Sequence, residues 1–270
     1  MICKNILLVA LLLSLGLTGC ATSIPQSKAF DESSRSVAHG RDVIVSVPQS
    51  EANVDVDKSN LTVIAGGGLL FALIDAAVEK SRASDAEDTV KPIREALIDY
   101  DFERNALDAV KQATAKVNWL AVNGTVFTKE ATNDNFAKLM DDSAASQIMY
   151  NNFDYVFSSD FKTLRVGLRT TILPRTSPST PDQKATERLA DKNAVYYNKW
   201  VYAVTLPSPG NDKRANAQLW AENQGALARD ALNKGIDRVT QDLISDLENS
   251  PDQLAKTPSK EELMTESVVR

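Results

Sequence analysis

Residues 153–157 are Phe-Asp-Tyr-Val-Phe and residues 164–171 are Leu-Arg-Val-Gly-Leu-Arg-Thr-Thr, with a polar Ser-Ser-Asp segment at 158–160 between them. Both stretches place apolar residues at every second position, and a strand directs alternate side chains to opposite faces. The Ser-Ser-Asp segment favours a turn. Together they predict an antiparallel hairpin that has one apolar face.

Three further segments outside this hairpin predict strands. Residues 42–48 form a β-branched run that ends at a proline, residues 117–127 form a second run interrupted by a glycine, and residues 194–206 carry spaced aromatic side chains. Such residues are enriched in strands because they pack well on a pleated surface. We therefore expect one sheet built around the hairpin.

Four segments predict helices, because apolar residues recur in them at spacings of three and four. They are residues 69–82, 92–116, 133–141 and 216–247. The second begins with Pro92, which suits the first turn of a helix, and contains a break signal at 99–101. The last is the longest, and it should pack on the sheet through Leu232, Ile236, Val239 and Leu243.

These elements predict an α+β fold with a mainly antiparallel sheet, helices packed on one face and a long C-terminal helix. The predicted single domain covers residues 42–248. The proline-rich segment at 174–182 should form a loop. Residues 249–270 are polar and contain two prolines, so we expect a mobile tail there.

The N-terminus carries the most specific motif in the chain. After one positive charge at Lys4, residues 6–17 are uncharged and almost wholly apolar, and they end in Leu17-Thr-Gly-Cys20. An apolar core of this length is typical of a secretory signal and is short for a permanent membrane span. The motif resembles the lipobox of bacterial lipoproteins.

The lipobox resemblance implies cleavage after residue 19 by signal peptidase II and lipidation of Cys20. Residues 20–41 would then be a lipidated cysteine followed by a flexible tether, since they are polar and serine-rich. In this family an aspartate after the cysteine favours the inner membrane, and this chain has Ala21. The resemblance therefore implies a lipid anchor on the periplasmic face of the outer membrane.

Composition excludes several classes of function. Without Lys4 the mature chain has 29 basic and 36 acidic side chains, a net charge of −7, which argues against nucleic-acid binding. Cys3 leaves with the signal and Cys20 carries lipid, so no thiol pair remains. His39 is the single histidine, so the chain cannot build a multi-histidine or Cys-rich metal site. We expect no metal and no cofactor.

A glycine-rich entry to the first helix is a candidate contact surface for a membrane or a partner. It lies in the uncharged run at residues 61–74 and comprises Gly66, Gly67, Gly68, Leu69, Leu70 and Phe71. The alternative is that this run packs in the core. Its spacing matches neither the P-loop nor the dinucleotide fingerprint.

Charged residues supply the other candidates. Arg165 and Arg169 lie on the polar side of a predicted strand and are candidates for contact with an acidic partner. Asp99, Asp101 and Glu103 have the spacing of paired carboxylates, but they lack the glycine turn of a calcium loop, which favours a solvated helix face. No serine lies in a nucleophile motif. We therefore predict no catalytic residue.

The segments Gly-Gly-Gly-Leu-Leu-Phe-Ala-Leu-Ile-Asp-Ala-Ala at 66–77 and Ala-Leu-Ile-Asp-Tyr-Asp at 96–101 are similar to those of uncharacterised proteobacterial outer-membrane lipoproteins. We expect a non-catalytic, lipid-anchored accessory or scaffold protein with an envelope protein partner. One alternative is a module that binds a small envelope ligand in a pocket beside residues 61–74. A hydrolase of envelope polymers is a further alternative.

Overall fold

The structure is a computed structural model that describes residues 27–55, 69–129, 142–175 and 194–248, with the backbone alone described for residues 69–82. Three sequence predictions lie outside these ranges: the helix at 133–141, most of the loop at 174–182, and the tail at 249–270. The burial of the apolar run at 61–74 lies outside them as well.

The described strands form one six-stranded sheet in the order β3-β1-β4-β5-β6, with the short β2 beside β4. Their bounds are β1 Arg41–Ser46, β2 Asn53–Val54, β3 Val122–Thr128, β4 Gln147–Phe157, β5 Thr163–Pro174 and β6 Tyr196–Thr205. The chain thus has an α+β fold, as predicted.

The central hairpin is confirmed. β4 and β5 pair antiparallel, with Phe157 opposite Leu164 at the turn, and β6 pairs antiparallel with β5. The turn closes where the amide of Ser158 donates to the carbonyl of Thr163 at 2.9 Å. The alternation of apolar residues therefore specified both the pairing and the buried face.

The sheet is mixed: the predicted antiparallel pairing holds for β4, β5 and β6, whereas β1 and β2 pair in parallel. β1 runs parallel to both β3 and β4, and β2 runs parallel to β4. Parallel neighbours need long connections, and two helices lie in the chain between β2 and β3. Such a connection allows a later strand to pair with β1 in the same direction. The alternation of apolar residues within a strand carries no information about this direction.

Three α-helices are described: α1 Leu69–Ala96, α2 Phe102–Thr114 and α3 Lys213–Glu248. The predicted break at 99–101 is confirmed, but Pro92 lies inside α1 and not in a first turn. A proline there costs one backbone hydrogen bond, and the full burial of Val90 and Ile93 beside it offsets that cost. None of the described helices has the length and apolar character of a membrane span.

The long helix α3 is confirmed together with its buried stripe, since Leu232, Ile236, Val239 and Leu243 are all at most 2% exposed. It is not continuous. Residues 222–225 leave the helical conformation, and the last three of them have positive φ. α3 is therefore two helical pieces joined by a tight break, which the 3.6-residue spacing of apolar side chains did not predict.

The helices pack on one face of the sheet, as predicted. The ring of Phe102 on α2 lies 4.4 Å from that of Tyr155 on β4, and Gly235 on α3 faces Val166 on β5. Tyr155 and Val166 are directly opposite each other, so both helices cover the same face. We call the opposite face of β4, β5 and β6 the outer face.

The structure of residues 28–41 differs from the flexible tether that the sequence predicted for residues 20–41. Residues 20–41 were expected to be flexible, yet Lys28 pairs with Tyr197 of β6 through two backbone hydrogen bonds of 2.6 and 3.1 Å. Phe30 is 2% exposed, and its ring makes tilted contacts with the rings of Trp119 and Tyr196. Residues 28–41 therefore belong to the folded domain, because one aromatic side chain in a polar stretch packs into the core.

The predicted strand at 117–127 begins later than expected. Residues 118–120 form a 3-10 turn, Ala121 has a φ of 46°, and β3 starts at Val122. The turn brings the carbonyls of Trp119 and Leu120 to Arg41 at the start of β1. These tertiary contacts therefore override the strand propensity of residues 118–121.

Candidate functional site

The most highly connected polar side chain among the described residues is Arg41 at the start of β1. Its guanidinium is fully buried and donates to five acceptors. Nε donates to Oε1 of Gln147 at 2.8 Å, Nη1 donates to the carbonyls of Leu120 at 2.9 Å and Trp119 at 3.2 Å, and Nη2 donates to those of Ser34 at 2.8 Å and Arg35 at 3.0 Å.

The charge of Arg41 lies between two aromatic rings. Its guanidinium carbon is 5.5 Å from the ring centre of Phe30 and 5.1 Å from that of Trp119. Burial lowers the pKa of Arg41 to about 10, so it remains protonated at neutral pH. Carbonyl dipoles and ring faces solvate the cation. Arg41 therefore joins the N-terminal segment to the sheet and has no donor left for a ligand.

An open hollow of about 380 Å³ lies beside this cluster. It is lined by Arg35, Ser36, Val37, Trp119 and Ala121. The guanidinium of Arg35 lies 5.1 Å from the ring centre of Trp119, and Nε1 of Trp119 is a buried donor without a partner in the described part of the chain. A cation beside an indole suits a small ligand that carries an anionic or carbonyl oxygen.

The three carboxylates at 99–103 make structural contacts and do not converge. Asp99 pairs with Arg229, which lowers the pKa of Asp99 through that hydrogen bond. Asp101 caps α2 by accepting from the amide of Arg104 at 2.9 Å, and Glu103 pairs with Lys129 at 2.6 Å. The spacing of two between these carboxylates therefore reflects the N-cap of α2 and the ion pairs on either side of it.

A second buried polar group was not predicted from the sequence. The hydroxyl of Tyr196 on β6 donates to Oδ2 of Asp246 on α3 at 2.6 Å, and Nδ2 of Asn198 donates to the same oxygen at 2.6 Å. Burial, and then the nearby Asp246 carboxylate, raise the pKa of Tyr196 well above its usual value. These contacts join β6 to the end of α3.

The two arginines predicted to meet an acidic partner both lie on β5, with their side chains on the outer face. Arg165 pairs with Asp55, so its charge is already matched within the chain. Arg169 is exposed and stands directly opposite Lys199 of β6. The two arginines therefore differ in their surroundings. Arg165 forms an ion pair within the domain, whereas Arg169 faces another basic residue across the strand pair.

The remaining predicted site residues lie outside what the structure describes. Cys20 and Gly66, Gly67 and Gly68 are not described, and only the backbone of Leu69, Leu70 and Phe71 is placed, at the start of α1.

Within the described ranges, no group of three His, Cys, Asp or Glu side chains is arranged to hold a metal ion. His39 contributes backbone contacts, with its amide donating to Oγ of Ser146 at 3.1 Å.

Similarity to known proteins is low. No model of a known protein family matches the chain, and no curated protein matches it. Solved structures similar to it include the PelC dodecamer from Paraburkholderia phytofirmans, which is 10% identical with a TM-score of 0.31 over 83% of this chain and 96% of that chain. A single-substitution variant of that dodecamer is 8% identical with a TM-score of 0.28 over 74% of this chain and 96% of that chain. Likeness at this level assigns no function.

Proposed function

We propose that this chain is a non-catalytic accessory or scaffold protein of the cell envelope, anchored by lipid on Cys20 to the periplasmic face of the outer membrane and bound to an envelope protein partner. The lipobox-like end of the apolar N-terminal stretch supports the anchor. The described carboxylates at 99–103 support a non-catalytic role, because each is engaged in a cap or an ion pair.

The observation that carries this proposal is the early start of the folded domain. Lys28, the first residue paired with the sheet, comes eight residues after Cys20. Whatever their conformation, those eight residues span at most about 28 Å. A lipid on Cys20 would therefore hold the domain close to the bilayer, as a membrane-bound scaffold requires.

The anchor is tested by comparing two cysteine variants. Cys20→Ser should leave an uncut precursor without acyl chains, because it removes the thiol that accepts the lipid. Cys3→Ser is the matched control and should be processed normally, since Cys3 would leave with the signal. Mass spectrometry of the mature N-terminus from membrane fractions measures both. An unmodified N-terminus at any residue other than Cys20 would disprove the anchor.

The scaffold role is tested by affinity capture from detergent-solubilised envelopes, followed by mass spectrometry. We expect a stable envelope protein that is captured with the lipidated chain and reduced with Cys20→Ser. Repeated captures without such a partner would contradict the role.

The hollow beside Trp119 supports a second candidate, a module that binds a small envelope ligand. It is lined by the N-terminal segment and the turn before β3. The pocket that the sequence suggested beside residues 61–74 concerns side chains outside the described ones. Native mass spectrometry of the protein purified from envelopes should then detect a bound small molecule that Trp119→Ala loses. Absence of such a molecule from the wild-type protein would count against this candidate.

A further inference from the structure

Asn123 and Gly124 form the single Asn-Gly pair of the chain, and they lie on β3 at one side of the described sheet. Among the described strands, β3 pairs with β1 alone. Both residues of the pair are exposed. Solvent therefore reaches this pair on a strand that the described part of the chain holds from one side.

The ladder between β1 and β3 is interrupted at Asn123. Arg41 is in register with Val122 and Asp42 with Gly124, so Asn123 is an extra residue without a partner on β1. Such a bulge disrupts the ladder locally and leaves its extra residue unpaired. The backbone at 123–124 is therefore less restrained than residues 125–128, each of which has a partner on β1.

Gly124 leaves room beside this bulge. A Cβ added to it would meet no atom within 4 Å. Glycine itself has no Cβ, and its backbone adopts conformations that other residues avoid. The amide nitrogen of Gly124 and Cγ of Asn123 are therefore not kept apart by a side chain at position 124.

The side-chain amide of Asn123 holds the turn that precedes β1. Its Nδ2 donates to the carbonyl of His39 at 2.7 Å. Its Oδ1 lies 2.6 Å from the position that a Cβ on Gly40 would take, and Gly40 has a φ of 60°. The amide thus packs against a backbone conformation that favours glycine, and a chemical change at Asn123 acts directly on residues 39–40.

We propose that Asn123 is a site of spontaneous deamidation in the folded protein. The backbone nitrogen of Gly124 loses its proton and attacks Cγ of Asn123. The new N–C bond forms as the bond between Cγ and Nδ2 breaks, and Nδ2 takes up a proton and leaves as ammonia. Water then opens the resulting succinimide at either of its two carbonyls, which gives aspartate or isoaspartate.

The product weakens the contact between β3 and the turn before β1. A carboxylate only accepts hydrogen bonds, so it cannot replace the donation from Nδ2 to the carbonyl of His39. Isoaspartate also routes the backbone of β3 through its side-chain methylene. Because ammonia is lost, the change is irreversible, and the contact with residues 39–40 is lost progressively as a chain ages.

The site is tested by incubating the folded full-length protein at neutral and mildly alkaline pH and measuring aspartate and isoaspartate at position 123 by mass spectrometry. Asn233 is the internal control, since it is exposed on α3, is also hydrogen-bonded through its side chain and precedes a lysine. We expect Asn123 to deamidate several-fold faster than Asn233, and faster at the higher pH because the attacking nitrogen must lose its proton.

Gly124→Ala should slow deamidation of Asn123 several-fold, because the added Cβ fits without a clash but hinders the attack. Deamidation of Asn123 in urea but not in the folded protein would overturn the proposal, since it would show that the strand protects the pair. A rate at Asn123 equal to that at Asn233, or one that Gly124→Ala leaves unchanged, would also overturn it.

The structural consequence is tested by amide hydrogen exchange at Arg41, whose backbone N–H donates to the carbonyl of Ala121 at 3.0 Å beside the turn. Asn123→Asp should exchange there several-fold faster than the wild-type protein. Asn233→Asp is the matched control and should exchange at the wild-type rate. Wild-type exchange in Asn123→Asp would overturn the loss of contact at residues 39–40.

Discussion

Arg41 shows how one residue decides where the domain begins. The sequence placed it at the end of a flexible tether, yet its five hydrogen bonds hold the segment at 34–35 and the turn at 118–120 against β4. Those acceptors are mostly backbone carbonyls. A carbonyl belongs to every residue type, so no pattern in the sequence marks which ones converge on a guanidinium.

We predict that Arg41→Lys lowers the free energy of unfolding by about 2–4 kcal/mol, because an ammonium can reach only some of these acceptors and leaves the others buried without a donor. Arg104→Lys on the exposed face of α2 is the matched control and should change it by less than about 0.5 kcal/mol. Urea unfolding measures both. Equal midpoints for the two variants would mean that Arg41 does not hold the N-terminal segment.

At the scale of the element, α3 was predicted as one helix and is two pieces. The break at 222–225 contains Asn223, Gln224 and Gly225 in left-handed conformation. Arg229 stabilises it, since Nε donates to the carbonyl of Gln224 at 2.8 Å and Nη2 to that of Ala96 at 2.6 Å. Apolar periodicity continues across the break because each piece still presents an apolar side to the core.

The docking of α3 on the sheet depends on the small size of Gly235. A Cβ added there would lie 2.4 Å from Cγ2 of Val166 on β5. We predict that Gly235→Ala destabilises the protein by about 1–3 kcal/mol, although alanine is the better helix former by roughly 1 kcal/mol. In a Val166→Ala background the cost should be smaller but not abolished, because Cγ2 is removed while Cβ of residue 166 remains 2.7 Å from the added Cβ.

A double-mutant cycle in urea measures this coupling. Gly124→Ala on β3 is the control for the loss of glycine itself, since nothing lies within 4 Å of an added Cβ there. If Gly235→Ala cost the same in both backgrounds, the helix would not lie against Val166 as described.

At the scale of the whole molecule, the Tyr196–Asp246 contact makes stability depend on pH at the alkaline end. The folded state requires the neutral phenol, and the pKa of Tyr196 lies well above its unfolded value of about 10 because of burial and then Asp246. A raised folded pKa means that this contribution is complete below pH 10 and is lost as the pH rises above it.

We predict that the free energy of unfolding of the wild-type protein falls more steeply above pH 10 than that of Tyr196→Phe, by at most about 1.4 kcal/mol per pH unit. The remaining slope has other sources, among them Tyr100, Tyr150 and Tyr155, whose pKa values burial also raises. Identical slopes for the two proteins would show that Tyr196 is not buried neutral.

Local patterns in the sequence determined the elements of this protein. The alternation around 153–171 specified the hairpin and its buried face, and the apolar spacing in 232–243 specified the stripe of α3, because both periods follow from backbone geometry alone. The acidic composition and the lipobox-like motif are also properties of the chain itself, and they direct the proposal of an anchored envelope protein.

Only the tertiary structure decided the direction of β1, the inclusion of residues 28–41 in the domain and the partners of the charged residues. Each depends on groups far apart in the chain: β1 beside β3 and β4, Phe30 against Trp119, and Arg165 beside Asp55. Arg165 and Arg169 look alike in the sequence, four residues apart on one strand face. What distinguishes them is what folding brings beside each, the carboxylate of Asp55 for the first and Lys199 of β6 for the second, and both neighbours are distant in the chain, so local sequence does not reveal them.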